Sequence, residues 1–145
     1  MGLMPILWQL SPIYRKGIDM NRLTDTHLIM INKHIAERER LIYGVKNKET
    51  LMMLAQDPYT LDEHENFYVY KDNINKAVRI GYLLATKQPF LSCNIKTALV
   101  TMVTQLKLNN ATLCYDKGEL PVLIELIQKG DEDGIYLWVS DHVEP

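Results

Sequence analysis

Cysteine is scarce in this chain: there are two in 145 residues, Cys93 and Cys114, and neither belongs to a CxxC pair. A disulfide framework and a cysteine-rich metal site are thereby excluded, and free thiols in a reducing, cytoplasmic compartment are expected. An excess of one charge is also lacking. Sixteen Lys and Arg against 18 Asp and Glu give a formal net charge of -2, so no basic surplus argues for nucleic acid or a membrane surface as partner. No apolar run approaches the roughly 18 residues of a membrane span. The apolar opening Met1 to Leu10 lacks the basic flank and cleavage site of a signal peptide, and Ile6 stands where a myristoylation signal needs Ser or Thr. Internal repeats and low-complexity tracts are missing too.

What is present reads as one globular domain. Hydrophobic residues make up 47% and charged residues 23%, and a chain of this size hides roughly two thirds of its unfolded surface on folding. Residues 1 to 19 read as a loose N-terminal extension and a candidate for disorder, with residues 20 to 145 as the domain. Leu28, Ile31 and Ile35 follow helical spacing behind Thr24 or Asp25 as N-cap, with Gly44 as the stop. A second short helix is expected over Lys48 to Ala55, broken at Asp57-Pro58. A third runs from Asn73 through Ala85. Ile95, Ala98, Leu99, Met102, Val103 and Leu106 form a strong amphipathic stripe ending at Asn109-Asn110. Thr112 to Tyr115 suits a short extended piece. Pro121 opens a helix closed by Gly130, and a last one holds Ile135, Trp138 and Val139.

Between the third and fourth helices lies Lys87-Gln88-Pro89-Phe90-Leu91-Ser92-Cys93-Asn94-Ile95-Lys96-Thr97-Ala98-Leu99. This run resembles the Fic/Doc (Fido) active-site signature, His-Pro-Phe-x-(Asp/Glu)-(Gly/Ala)-Asn-(Lys/Gly)-Arg-Thr, of the Doc-like (death-on-curing) branch. Pro89, Phe90, Asn94, Thr97, Ala98 and Leu99 match. Leu23-Thr24 with Ile31-Asn32, the stretch Gly44 to Leu51, and Gly130, Ile135 and Trp138 are similar to flanking features of that branch, so the resemblance extends over roughly residues 22 to 142. It implies an all-α, compact Fido-type domain of about six helices around a central motif-bearing helix. It also implies a short partner-binding flap at Leu54, Ala55, Gln56 and Tyr59.

The same resemblance implies transfer of AMP or a phosphoryl group from a nucleotide to a protein hydroxyl, and the chemical positions have been replaced. Gln88 stands at the place of the catalytic histidine, yet an amide has no accessible conjugate acid and can only orient by hydrogen bonding. Ser92 replaces the acid that holds Mg²⁺, a cation that favours charged oxygen ligands. Lys96 replaces the phosphate-gripping arginine with a point charge lacking the two-pronged fork. Ser92, Cys93, Asn94, Ile95, Lys96 and Thr97 are the implied nucleotide-binding residues, with ATP or another nucleotide and Mg²⁺ as the cofactor to test for and no resident metal. Asn94 to Thr97 also begin a helix, whose unpaired N–H groups attract anions whatever the side chains. Read without the resemblance, Pro89 and Phe90 anchor a loop and Asn94 caps a helix.

The remaining constellations are weaker. Cys93 lies beside a helix start and Lys96, but packing is the better reading of a thiol with no histidine near it in sequence. Asp62, Glu63, His64 and Glu65 are consecutive, as in a solvated loop. His27 and His34 are expected at the surface, Glu37 to Arg40 on a solvent face, and Met52-Met53 in the core. Three functions follow. The first is a degenerate Doc-like protein that binds a nucleotide, a protein target or an antitoxin-like partner without efficient transfer. The others are an active transferase with a rearranged site and a helical interaction module.

Overall fold

The structure is a computed structural model that describes residues 22–61 and 69–144. The N-terminal extension and the Asp62 to Glu65 cluster lie outside the described residues. Six α-helices are present among them: α1 (Asp25–Glu39), α2 (Lys48–Gln56), α3 (Asn73–Lys87), α4 (Asn94–Leu108), α5 (Leu120–Lys129) and α6 (Glu132–His142). A 3-10 turn, Asp57–Tyr59, continues α2, because Pro58 sits at a first-turn position where its missing N–H costs nothing. Two-residue strands β1 (Thr112–Leu113) and β2 (Val143–Glu144) pair antiparallel, with Thr112 opposite Glu144 and Leu113 opposite Val143. The expected all-α class and helix number are thus found.

The core follows from helical spacing. α1 buries Leu28, Ile31, Ile35 and Ala36; α3 buries Ala77, Val78, Ile80, Leu83, Leu84 and Ala85. Both are 15 residues long, as is α4, which packs most extensively against α3 and also meets α1, α5 and β1. The short connection between α3 and α4 makes them antiparallel neighbours. Their close approach depends on Gly81. A Cβ there would stand 2.3 Å from Met102 Cγ, so only glycine leaves room for that side chain. Arg79 on α3 ties outlying pieces to this pair, donating from Nε to Asp57 at 2.7 Å and from Nη1 to Glu132 at 3.1 Å.

Several expectations need correcting. α1 stops at Glu39, not near Gly44, because Arg40 takes a left-handed conformation (φ 58) and its N–H bonds back to the Glu37 carbonyl. Met52 and Met53 are exposed, Met53 at 72%, since only Leu51, Leu54 and Ala55 of α2 face inward. His27 is buried, not at the surface: its Nδ1 accepts the Thr24 N–H at 3.0 Å, closing the first turn of α1. Burial pushes its pKa below the ordinary value, with Asp25 opposing. The residue capping α4 is Cys93 (φ 60), while Asn94 is already inside the helix.

Candidate functional site

The six residues from Gln88 to Cys93 join α3 to α4, and each end of this loop is set by left-handed backbone. Gln88 (φ 48) ends α3 and bonds its N–H to the Leu84 carbonyl, and Cys93 (φ 60) starts α4. Neither is glycine. Such conformations at ordinary residues persist only where the surroundings hold them, and the surroundings here are specific. The Asn94 side-chain amide accepts the Phe90 N–H and donates to the Phe90 carbonyl, both at 3.0 Å, as a neighbouring strand would. Phe90 itself is 1% exposed, and burying such a ring is worth about 1.5–3 kcal/mol.

On its other edge the loop is strapped by residues 40–47. Val45 and Phe90 form an antiparallel bridge: Lys46 N–H donates to the Pro89 carbonyl at 2.7 Å, and Leu91 N–H donates to the Gly44 carbonyl at 3.0 Å. Gly44 adopts φ 153, and a Cβ at this position would come within 3.0 Å of Leu91 Cδ1. The glycine therefore lets the strap close onto the loop; it does not stop α1. Beneath the loop, Asn32 of α1 is 1% exposed and donates to the Ser92 carbonyl at 2.8 Å and to Thr97 Oγ1 at 3.1 Å.

An open cleft of about 390 Å³ lies at the start of α4, lined by Glu39, Leu41, Gln88, Cys93, Asn94, Ile95 and Lys96. Five of the residues singled out from the sequence therefore meet in one place: Gln88, Cys93, Asn94, Ile95 and Lys96. Two do not. Thr97 is buried, and the Ser92 hydroxyl is spent on the Ile42 carbonyl at 2.7 Å. No family model, curated protein or solved structure matches the chain significantly. The site's chemistry must therefore be read from its own atoms.

Lys96 forms an ion pair with Glu39. Its charge is consequently shared with a carboxylate at the mouth of the cleft, and an incoming anion meets both. Glu39 was legible only as part of a solvent-facing run of alternating charge. One signal could have marked it: a carboxylate in the last turn of a helix opposes the helix dipole and benefits from a cation nearby. Asn32 was marked only by its place beside Ile31 in the resemblance, and Leu41 had no distinguishing signal.

The expected flap residues lie elsewhere. Leu54 and Ala55 are 3% and 4% exposed, turned into the core by the inward face of α2, so their side chains are not offered to a partner. Ala55 and Gln56 border a separate depression of about 150 Å³ with Arg22, Thr24, Asp25 and Met52. Tyr59 carries the Arg22 guanidinium 4.0 Å above its ring. The segment set against the loop is the strap. Among the described residues no group of three or more His, Cys, Asp or Glu could hold a metal ion, and no helix is long and apolar enough to cross a membrane.

Proposed function

We propose that this chain is a Doc-like, Fido-type protein whose cleft binds a partner or a nucleotide without carrying out transfer chemistry. The observation that carries the reading is the content of the cleft. It has a helix N-terminus with Asn94 and Ile95 on its wall, and among the described residues no imidazole lines it. Gln88 at its rim has no proton to take or give near neutral pH. A metal-bound nucleotide fits poorly: Ser92 does not line the cleft, and Glu39, the one carboxylate among the described lining residues, is paired with Lys96. What suits the cleft is a phosphate or carboxylate meeting the first N–H groups of α4, with apolar contact from Leu41 and Ile95. Context as the toxin-like member of a toxin-antitoxin pair belongs to the same proposal.

A second reading, a helical interaction module with no nucleotide, draws support from Glu39. Its carboxylate at the mouth disfavours phosphate and suits a protein segment. Incubating the full chain with labelled ATP, with and without Mg²⁺, in lysate separates the readings. Saturable nucleotide binding without label transfer is the expected result. ATP-dependent labelling of a protein hydroxyl, lost in Asn94→Ala, would establish a transferase instead, and failure to bind any nucleotide would leave the interaction module.

A further inference from the structure

At the end of α6, one imidazole faces two acceptors. His142 closes α6; its Nδ1 lies 2.6 Å from the Trp138 carbonyl oxygen and its Nε2 meets a Glu119 carboxylate oxygen. A carbonyl only accepts hydrogen bonds, and so does an ionised carboxylate, so both ring nitrogens must carry protons for both contacts to form. A neutral tautomer supplies one. The geometry therefore calls for the imidazolium.

This cation stands at a junction. Its ring stacks on Trp138, with centroids 3.8 Å apart and 13° between planes, and Trp138 in turn contacts Tyr115 at 6.1 Å. The His142 carbonyl accepts the Cys114 N–H at 2.7 Å, directly beside the β1–β2 pairing. The other Glu119 oxygen accepts the Asp116 N–H at 3.1 Å, which sets the turn into α5. One protonated side chain thus links the end of α6, the start of α5 and the strand ribbon.

We propose that His142 is a pH-sensitive latch, holding the end of α6 against the start of α5 while protonated, so that the adjoining β1–β2 pairing is secured, and loosening both when the proton is lost. The charges acting on the ring are Glu119 from the start of α5 and Asp141 from α6, both negative; from the β1 side the Cys114 N–H meets the His142 carbonyl and Tyr115 packs on Trp138. The Glu119 hydrogen bond, followed by the Trp138 carbonyl, holds His142 above its ordinary value of 6.5 against the effect of burial. The same bond, helped by the Asp116 N–H, holds Glu119 below 4.5. A raised histidine contributes fully below its unfolded value and is lost as pH climbs through its folded one; a lowered carboxylate contributes above its unfolded value and is lost as pH falls through its folded one. The latch is therefore closed between pH 4.5 and 6.5 and opens on the alkaline side.

The experiment is an NMR titration of the histidine rings in the full chain, with amide exchange at Cys114 corrected for intrinsic rates. In the wild type the His142 midpoint should lie above 6.5. Cys114 protection should fall across that midpoint, by up to about tenfold for each unit by which the midpoint is raised. Glu119→Gln should bring the midpoint back toward 6.5, and His142→Gln should make Cys114 protection flat over the same range. A wild-type midpoint at or below 6.5, a midpoint that Glu119→Gln leaves unmoved, or Cys114 protection indifferent to the titration would overturn the proposal.

Discussion

Replacing Asn32 tests whether the loop in front of α4 is held from below. Asn32 is a buried side chain of α1 that hydrogen-bonds across 60 residues of sequence to the Ser92 carbonyl and 65 to Thr97. Asn32→Ala removes two hydrogen bonds, each worth about 1 kcal/mol net. It also leaves the Ser92 carbonyl without this donor. Thr97 suffers less, because its hydroxyl can turn to a carbonyl of its own helix. The expected loss is therefore about 2–3 kcal/mol by urea unfolding, with an unchanged m-value if the transition stays two-state.

Asn32→Asp sharpens the test. An aspartate oxygen would face the Ser92 carbonyl, acceptor against acceptor, in a site that is 1% exposed. The carboxyl in the folded state would then be raised above its unfolded value of about 3.9, so its penalty appears as pH rises past about 4 and is largely absent below it. Relative to Asn32→Ala, the aspartate variant should be clearly less stable at pH 7 and closer to it at pH 4. A cost below about 0.5 kcal/mol for alanine, a value ordinary for a surface site, would refute the argument. So would an aspartate penalty independent of pH.

Gly81→Ala should destabilise by about 1 kcal/mol, an overpacking cost of about 1–3 kcal/mol against Met102 offset by about 1 kcal/mol of helix propensity. Pairing it with Met102→Ala should cancel the penalty in a double-mutant cycle, and additive losses would show that the contact does not limit the helix approach. Glu39→Gln should change stability by less than about 0.5 kcal/mol, since both partners of the Lys96 pair are substantially exposed. It should nevertheless tighten binding of ATP about fivefold, from a Coulomb effect of about 1 kcal/mol in water, and unchanged affinity would mean that Lys96 does not meet phosphate. His27 is held neutral by burial, so its contribution is complete above about 6.5 and declines as pH falls toward its lower folded value. His27→Gln, which can still accept the Thr24 N–H, should flatten that acid limb when unfolding is compared at pH 7.5 and about 5.5.

Most helices were legible because their apolar stripes coincide with what is buried. Ala98, Met102 and Leu106 on α4, and Leu123 and Ile127 on α5, are core residues at helical spacing, and Gly130 (φ 69) ends α5 as a glycine beyond a helix should. What stayed hidden depends on partners distant in sequence. Val143 and Glu144 form a strand only because Thr112 and Leu113 lie alongside, and two residues carry no alternation to read. Gly44 looked like a helix stop because glycine commonly is one, but its use is contact with Leu91, 47 residues onward. Met52 and Met53 looked internal by composition, and only the rotational setting of α2 against α3 turns them outward. His27 was missed because the reciprocal cap at a helix start is recognised by Glu or Gln at its third position, whereas here an imidazole nitrogen accepts the bond.

The same distinction bears on the site. Five of the six matching positions of the signature have a mechanical task in this loop. The Pro89 carbonyl receives two strap N–H groups, Phe90 fills the core, Asn94 braces Phe90, Thr97 accepts from Asn32, and Ala98 lies buried where α4 passes Gly81. Those tasks would exist in a protein with any function that needed this loop. Gln88, Ser92 and Lys96, the positions where chemistry would be decided, have other surroundings. Gln88 and Lys96 are exposed, and the Ser92 hydroxyl serves the strap. Their side chains are thus not fixed by core packing, so what they can do chemically has to be argued from what they touch. Lys96 touches Glu39, and Ser92 touches a carbonyl. Among the described residues the cleft has a cation paired with Glu39 and no imidazole on its wall, and the nearby Ser92 hydroxyl donates to the strap; the proposed reading, ligand binding without transfer, rests on those three features.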